Sequence, residues 1–105
     1  MRFTTLIPTT HNDGTPVKPS VLQRRIEGLW RPFGGVAEEG AVTGHWMDDD
    51  GREFSDVCLK VSIECDRSRL PEAIRAVKRI GRRLQQRAMY FEVAGYDGVQ
   101  LLRLP

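Results

Sequence analysis

The sequence predicts an α+β domain in which one antiparallel sheet is covered by two helices. Residues 54–65 alternate apolar and polar side chains, as a strand with one covered face does. Residues 20–33 and 66–88 space their apolar side chains three and four positions apart, as amphipathic helices do. The chain has 105 residues, 40% of them apolar, which predicts a single domain with one core over residues 1–105.

The first strand, loop and helix can be placed from residue types alone. Residues 2–8 are rich in β-branched and aromatic side chains up to a proline and predict a strand. Residues 9–16 are polar and predict a loop. Ser20 with Gln23 matches a capping box and predicts the start of a helix. The apolar stripe of this helix stops before Gly34-Gly35 and consists of Leu22, Ile26, Leu29, Trp30 and Phe33.

The next two strands form a predicted hairpin. Residues 36–47 contain Gly40 and Gly44, which predict a strand with a bulge. Asp50-Gly51 predicts a two-residue turn into the third strand, residues 54–65. The face of that strand predicted to be covered consists of Val57, Leu59, Val61, Ile63 and Cys65, and the solvated face of Asp56, Cys58, Lys60, Ser62 and Glu64.

The second helix has a clear start and a long apolar stripe. Asp66 or Ser68 is the predicted cap, and Pro71 falls in the first turn. Gly81 lies within the stripe at a cost of about 1 kcal/mol relative to alanine, so we expect close packing on the sheet there. The stripe consists of Leu70, Ala73, Ile74, Val77, Ile80, Gly81, Leu84 and Ala88.

The element order β-α-β-β-α-β predicts a ferredoxin-like fold, an antiparallel sheet with both helices on one face. Residues 89–94 supply the fourth strand, and after a polar stretch at 95–98, residues 99–104 predict a short fifth strand at a sheet edge. The face away from the helices is where such domains commonly bind a ligand or a second copy. We expect that face to carry one side of the second strand and Arg2, Thr4, Leu6, Cys58, Lys60, Ser62, Glu64, Tyr90 and Glu92.

Composition narrows the location and the chemistry. No stretch approaches the roughly 20 apolar residues of a membrane-spanning helix, and the apolar start is too short for a signal peptide. We therefore expect a cytoplasmic protein without a membrane partner. Cys58 and Cys65 are an odd number of positions apart on one strand, so we expect them on opposite faces as free thiols.

No cofactor or metal motif is found in the sequence. Gly34-Gly35 lacks the lysine of a phosphate-binding loop. A calcium loop beginning at Asp48 would need glutamate at its twelfth position, which is Leu59. We therefore predict neither a cofactor nor a metal.

Charge is divided sharply along the chain. Residues 38–56 hold seven acidic residues against one basic residue, and residues 66–87 hold eight basic residues against two acidic ones. A basic face on the second helix could bind the phosphates of a nucleic acid, form a solvated exterior, or attract the acidic segment of another copy. That face consists of Arg75, Arg79, Arg82 and Arg83.

Two segments supply candidate ligand-binding residues. His11, Asn12 and Asp13 follow the first strand, where Asn12 and Asp13 could hold a polar group and His11 could act as acid or base. Turn formation explains the same residues without a ligand. His45 and Trp46 precede three aspartates, and a histidine there could be a base, although a solvated turn explains the aspartates equally well.

Cys58 is a further candidate. It could be a nucleophile if Lys60 or His45 favoured its thiolate, or a small apolar filler.

A glycine and tryptophan pattern resembles that of a known group of proteins. Gly34-Gly35 is followed by Gly44-His45-Trp46-Met47-Asp48 and then Gly51. This pattern resembles small uncharacterised bacterial proteins of ferredoxin-like architecture that have no established activity. Ala37 stands where the pattern has threonine. The resemblance implies the architecture and no particular function.

The leading functional hypothesis is a homo-oligomeric ligand-binding or interaction module that self-associates through its open sheet face or an edge strand. One alternative is a small enzyme with a pocket near His11, Asp13 and His45. Another is a nucleic-acid-binding domain that uses its basic second helix.

Overall fold

Five antiparallel strands and two helices form the protein in the computed structural model, which describes residues 1–94 and 98–105. The sheet order is β2-β3-β1-β4-β5, and the predicted α+β class is confirmed. The polar break predicted at 95–98 falls largely on residues 95–97, which lie outside the described residues. The elements are β1 (Arg2–Pro8), α1 (Pro19–Trp30), β2 (Ala37–Met47), β3 (Glu53–Glu64), α2 (Leu70–Arg83), β4 (Ala88–Val93) and β5 (Gly98–Arg103).

Both helices pack on the same face of the sheet, which we call the helix face. Phe3 of β1 stacks on Phe91 of β4 with ring centroids 5.3 Å apart, and Phe33 meets Phe3 edge to face at 5.7 Å. A single core joins the sheet to both helices. The prediction that both helices cover the same face of the sheet is therefore confirmed for the strands that contribute to this core. The core includes Phe3, Ile7, Leu22, Ile26, Leu29, Val61, Ile63, Ala73, Val77, Ile80, Leu84, Met89, Phe91 and Val93.

The helix starts differ from the sequence prediction. Ser20 forms no capping box, because Lys18 is the N-cap residue and Pro19 takes the first helical position. The fixed φ of proline favours that position without a side-chain cap. Asp66 does cap, accepting hydrogen bonds from the Ser68 backbone N–H (3.1 Å) and hydroxyl (3.0 Å), but it caps a 3₁₀ turn that precedes α2. In the part of the chain that the structure describes, no helix is long and apolar enough to cross a membrane.

The end of α2 also differs, because the predicted stripe ran on to Ala88. The helix stops at Arg83, and Ala88 begins β4. Gln85 takes a left-handed conformation with φ of 57°, and the Gln86 N–H bonds the Gly81 carbonyl at 2.9 Å. These are the features of a Schellman motif, which is usually built with glycine. Because glutamine occupies the left-handed position where glycine is usual, the end of the helix could not be predicted from residue types.

Gly81 allows α2 to approach the sheet closely, as predicted. A Cβ atom at this position would lie 2.5 Å from Cδ1 of Leu104 and 2.6 Å from Cγ of Met89. Those distances are too short for real carbon atoms, so a side chain here would force Met89 and Leu104, or the helix itself, to move.

The β2–β3 hairpin contains the predicted bulge. The pairing register shifts between Glu38 and Ala41, where Gly40 has φ of 91°. The turn has three residues instead of the predicted two, because the Gly51 N–H bonds the Asp48 carbonyl and the Asp48 N–H bonds the Arg52 carbonyl, both at 3.0 Å. A turn of this kind needs a left-handed third residue, which Gly51 supplies with φ of 80°.

The hairpin projects beyond the rest of the sheet. β1 ends at Pro8, which pairs with Cys58, so residues 43–57 form a two-stranded extension that we call the arm. Val57 was predicted on the covered face but is 50% exposed, because the arm extends beyond the helices. We call the remainder of the sheet, from Cys58 onward in β3 together with β1 and β4, the body.

The open face of the body is less solvated than predicted. Thr4 and Ser62 are 7% and 3% exposed, and their hydroxyl oxygens are 2.8 Å apart. Glu39 reaches in from the bulge, and its carboxylate accepts hydrogen bonds from Ser62 and Arg2, both at 2.7 Å. The Lys60 ammonium lies 3.2 Å from the same carboxylate. These donors, Ser62 first, lower the pKa of Glu39 to about 2.

Candidate functional site

A concavity of about 720 Å³ lies on the open face, between the arm and the body. Its walls come from four regions that are far apart in sequence. The first region is β1 with the loop after it, and it contributes Leu6, Pro8, Thr10, His11, Asn12 and Gly14. The second is the arm with the adjoining Cys58, and it contributes Trp46, Met47, Asp48, Asp49, Arg52, Phe54, Ser55, Asp56 and Cys58. The third contributes Gln86, Arg87, Ala88, Met89 and Tyr90, and the fourth contributes Arg103.

Two turns of the same construction border the concavity. In the loop after β1, the His11 N–H bonds the Thr15 carbonyl at 2.8 Å and the Gly14 N–H bonds the His11 carbonyl at 2.9 Å. The arm turn repeats this pattern, again with a left-handed glycine at its third position. Gln86 ties the first turn to the body through a 3.2 Å bond to the Thr10 carbonyl. The rim is therefore held by backbone hydrogen bonds and needs no ligand to form.

The first candidate segment is divided between the concavity and the turn. His11 and Asn12 line the concavity, whereas Asp13 does not. The Asp13 carboxylate accepts hydrogen bonds from the Thr15 hydroxyl (2.6 Å) and N–H (3.0 Å), which lower its pKa. Asp13 therefore acts in the turn. The His11 Nδ1 atom is buried and has no hydrogen-bond partner among the described residues.

Trp46 lies within the concavity beside a second aromatic residue. Its ring centroid is 6.3 Å from that of Tyr90, with the planes inclined by 51°. The indole lies against Gly44, where a Cβ atom would come within 2.9 Å of the indole nitrogen. Burial raises the pKa of the Tyr90 hydroxyl, which stays a neutral donor at physiological pH. The aromatic pair offers a planar ligand two inclined surfaces.

His45 lies on the opposite side of the arm from Trp46. Adjacent residues of a strand point to opposite faces, and the His45 Nδ1 atom is 2.9 Å from the Ser55 hydroxyl on the exposed side. His45 does not line the concavity. The structure thus brings together His11, Asn12 and Trp46, and leaves Asp13 and His45 outside.

Cys58 forms part of the floor and is only 3% exposed, although we predicted it on a solvated face. Burial, and then the charge of Asp56, raise the pKa of its thiol to about 11. The protonated thiol is a poor nucleophile. The filler interpretation therefore fits Cys58 better.

The charges of the lining balance. The lining contains three acidic residues, Asp48, Asp49 and Asp56, and three arginines, Arg52, Arg87 and Arg103. Among the described residues, no group of three or more histidine, cysteine or acidic side chains is arranged to hold a metal ion. A lining without net charge favours a neutral or zwitterionic ligand over a polyphosphate.

Several lining residues were not singled out as site candidates. Tyr90 was predicted on the open face by alternation, but its approach to Trp46 depends on the strand order. Gln86 and Arg87 were assigned to the second helix, and only the early helix end places them at the concavity. The basic face lies elsewhere, since none of its four arginines lines the concavity.

Comparison with known proteins gives a likeness of fold. No family model and no curated protein matches the sequence. The structure is similar to that of a phage SAM lyase in complex with S-methyl-5'-thioadenosine, with a TM-score of 0.68. The superposition covers 98% of this chain and 81% of the lyase chain, at 9% sequence identity. At that identity the likeness concerns the fold alone.

Proposed function

We propose that this chain is a small-molecule-binding domain of ferredoxin-like architecture, and that its ligand occupies the concavity between the arm and the body. The concavity itself carries the proposal. Ligand pockets commonly measure roughly 300–1,000 Å³ and combine aromatic walls with a few polar groups. Trp46, Phe54 and Tyr90 provide such walls here, and His11 and Asn12 provide polar atoms.

The architectural part of the proposal rests on strand order. Strands β2-β3-β1-β4 with both helices on one face correspond to the split βαβ arrangement, with β5 added beside β4. The resemblance carried by Gly34 to Gly51 agrees with this assignment and adds no ligand.

The ligand class that fits best is a purine nucleoside with a small uncharged or zwitterionic substituent. A flat heterocycle suits the inclined rings of Trp46 and Tyr90. The balanced lining charges disfavour a triphosphate. The lyase of similar fold is a complex with S-methyl-5'-thioadenosine, a nucleoside of this class, which supports the choice of ligand to test first.

Fluorescence titration tests this proposal directly. The chain has two tryptophans, so a Trp30→Phe variant leaves Trp46 as the reporter inside the concavity. We expect S-methyl-5'-thioadenosine to change its emission saturably with a Kd below about 1 mM. Calorimetry of Trp46→Ala should show binding weakened about ten-fold or more, because stacking on an aromatic side chain contributes roughly 1–3 kcal/mol.

The matched control is the Trp30→Phe variant measured by calorimetry, which should bind as the unchanged protein does. Absence of saturable binding up to millimolar nucleoside, with the fold intact, would reject this ligand class. Equal affinity in the Trp46→Ala variant would reject the site.

A second candidate function is catalysis on the same class of ligand. The specific observation is the buried, unpartnered Nδ1 atom of His11 in the lining, and the similarly folded protein is a lyase. His11 would then act as an acid or base beside the charge of Asp13, with which it interacts electrostatically, and without His45. As a base, His11 would remove a proton from the carbon next to the sulfur-bound carbon of the amino acid chain of S-adenosylmethionine. The carbon–sulfur bond would then break with its electrons moving to sulfur. After incubation with S-adenosylmethionine, chromatography should therefore show S-methyl-5'-thioadenosine together with an equal amount of the unsaturated amino acid 2-aminobut-3-enoate. Release must fall in His11→Ala and remain in His45→Ala, and unchanged release in His11→Ala would eliminate this role.

A further inference from the structure

Exposed apolar side chains gather in the arm. Among the described residues, the large apolar side chains classed as exposed are Met47 (66%), Phe54 (41%) and Val57 (50%), and all three belong to it. Met47 and Val57 lie on the helix-face side of the arm, together with exposed Thr43 and His45. The paired His45 and Ser55 separate Met47 from Val57 on this side, and Phe54 lies on the opposite side, where it lines the concavity. Two separate apolar side chains do not define a contact surface by themselves, so the charges beside them decide what could cover them.

Acidic charge accompanies these apolar side chains. The turn and its flanks carry Asp48, Asp49, Asp50 and Glu53, and Arg52 is the sole basic residue of the segment 38–56. Asp50 and Glu53 are exposed and lie outside the concavity. A partner of the arm must therefore be basic as well as able to cover apolar groups.

The outer face of α2 has that complementary character. Arg75, Arg79, Arg82 and Arg83 recur at the spacing of one helical face, opposite the buried stripe that includes Ala73 and Val77. All four are exposed, and none of them forms an ion pair within the part of the chain that is described. Arg75 interacts electrostatically with Glu72 at longer range, and the row as a whole attracts an acidic partner.

We propose that the arm of one copy packs against the outer face of α2 in a second copy of this chain. The carboxylates of the arm would pair with the arginines, and the arginine stems would cover Met47 and Val57. The arm sits at one end of the sheet and α2 on the helix face, so the contact joins different surfaces of the two copies.

A second copy of the chain would cover both the acidic arm and the basic face of α2, whereas a nucleic acid would cover only the basic face. Phosphates would pair with α2, but they would be repelled by the acidic arm and would leave its apolar side chains uncovered. Pairing through the free edge of β2 is hindered by the bulge at Gly40 and by the charges of Glu38 and Glu39. The acid-to-base contact accounts for the acidic arm, for the arginine row and for exposed Met47 and Val57.

Charge reversal in both surfaces gives a decisive test. One variant carries Asp50→Lys and Glu53→Lys, and the other carries Arg75→Glu and Arg79→Glu. Sedimentation equilibrium at about 50 mM salt should show association of the unchanged protein at micromolar concentrations and at least ten-fold weaker association at about 500 mM, since added salt shortens the screening length. Each variant alone should be monomeric, and their equimolar mixture should associate, because each then supplies the charge that the other lacks.

The charge-matched control reverses Glu64 and Glu92 to lysine on the open face and should associate as the unchanged protein does. Loss of association in this control would place the contact on the open face and overturn the proposal. A monomeric unchanged protein at low salt would overturn it as well, and so would a mixture that stays monomeric. Salt-sensitive binding of a short oligonucleotide by a monomer, abolished in the arginine variant, would assign α2 to nucleic acid instead. The four substituted residues lie outside the concavity, but the contact would cover Met47, which lines it. Nucleoside binding is therefore measured at about 500 mM salt, where association is weakest, so that failure of one proposal can be told from failure of the other.

Discussion

The helices cover one face of the body of the sheet, whereas they cover neither face of the arm. In the body the helix face is dry, with Val61 and Ile63 both 1% exposed, and the open face carries the polar group around Glu39. In the arm the helix-face side is exposed, whereas Trp46 on the other side is half-buried at the concavity. A strand pattern therefore separates two faces along its whole length, but the reach of the helices decides which face is covered at each point.

The largest expected difference comes from one pair of matched substitutions on β3. Val61 in the body and Val57 in the arm are four residues apart and point to the same side. Val61→Ala should lower the free energy of unfolding by about 2–3 kcal/mol, because it removes buried methyl groups and leaves a cavity. Val57→Ala should cost no more than about 1 kcal/mol. Urea unfolding of both variants measures the difference.

Equal losses in the two valine variants would contradict the division into arm and body. If Val57→Ala proved costly in the monomer, the arm would have to be packed on the helices. The comparison should be made at low protein concentration and high salt, where association through the arm is weakest.

Two glycines, one on each helix, test the contrast between a tightly packed and an exposed position. Gly81→Ala would place a methyl group against Leu104 and Met89 and should be destabilising, since overpacking typically costs about 1–3 kcal/mol. Gly28→Ala on α1 meets no atom within 4 Å and should stabilise by up to about 1 kcal/mol through helix propensity. Thermal unfolding should rank the two variants on opposite sides of the unchanged protein. A stabilised Gly81→Ala variant would show that α2 is not held tightly against the sheet.

Sequence patterns predicted most of the body. The helix stripes at Leu22 to Leu29 and Ala73 to Leu84, the bulge at Gly40 and the close packing at Gly81 are each set by residues near one another in sequence. The failures are also local in origin. The first helix begins with Pro19 at its first position and has no side-chain cap. Gln85 has a left-handed backbone conformation, which is uncommon for glutamine and so was not predicted.

The site was less accessible to prediction, because it depends on distant parts of the chain. His11, Asn12 and Trp46 were singled out from loop chemistry, and they line one concavity only because the order of the strands brings the loop and the arm together. The burial of Thr4 and Ser62 depends on Glu39, which crosses from a neighbouring strand. No local pattern in β1 or β3 contains that information.

Gly44→Ala tests the arm's side of the concavity. The new methyl group would meet the Trp46 indole and force its side chain away from its preferred rotamer, at about 0.5–1.5 kcal/mol. We expect a shifted Trp46 emission maximum and roughly two- to ten-fold weaker nucleoside binding. The free energy of unfolding should fall by no more than this strain, about 0.5–1.5 kcal/mol. An unaltered emission spectrum in the Trp30→Phe background would show that the indole does not rest on Gly44.

The smallest expected effect concerns Glu39, which ties the bulge at the base of the arm to the body. Hydrogen bonds from Ser62 and Lys60 depress its pKa from 4.5 to about 2 in the folded protein. A depressed carboxylate pKa stabilises the fold above the unfolded-state value and loses that contribution as pH falls through the folded-state value. Glu39→Gln should therefore be less stable than the unchanged protein near pH 7, and the difference should shrink between pH 4.5 and about 2. Urea unfolding across this range measures it, with Glu64→Gln as the control for loss of a carboxylate on the same face. A difference that persists unchanged at the acid end would mean that Glu39 acts through its shape and not its charge, and that the arm is anchored by the bulge alone.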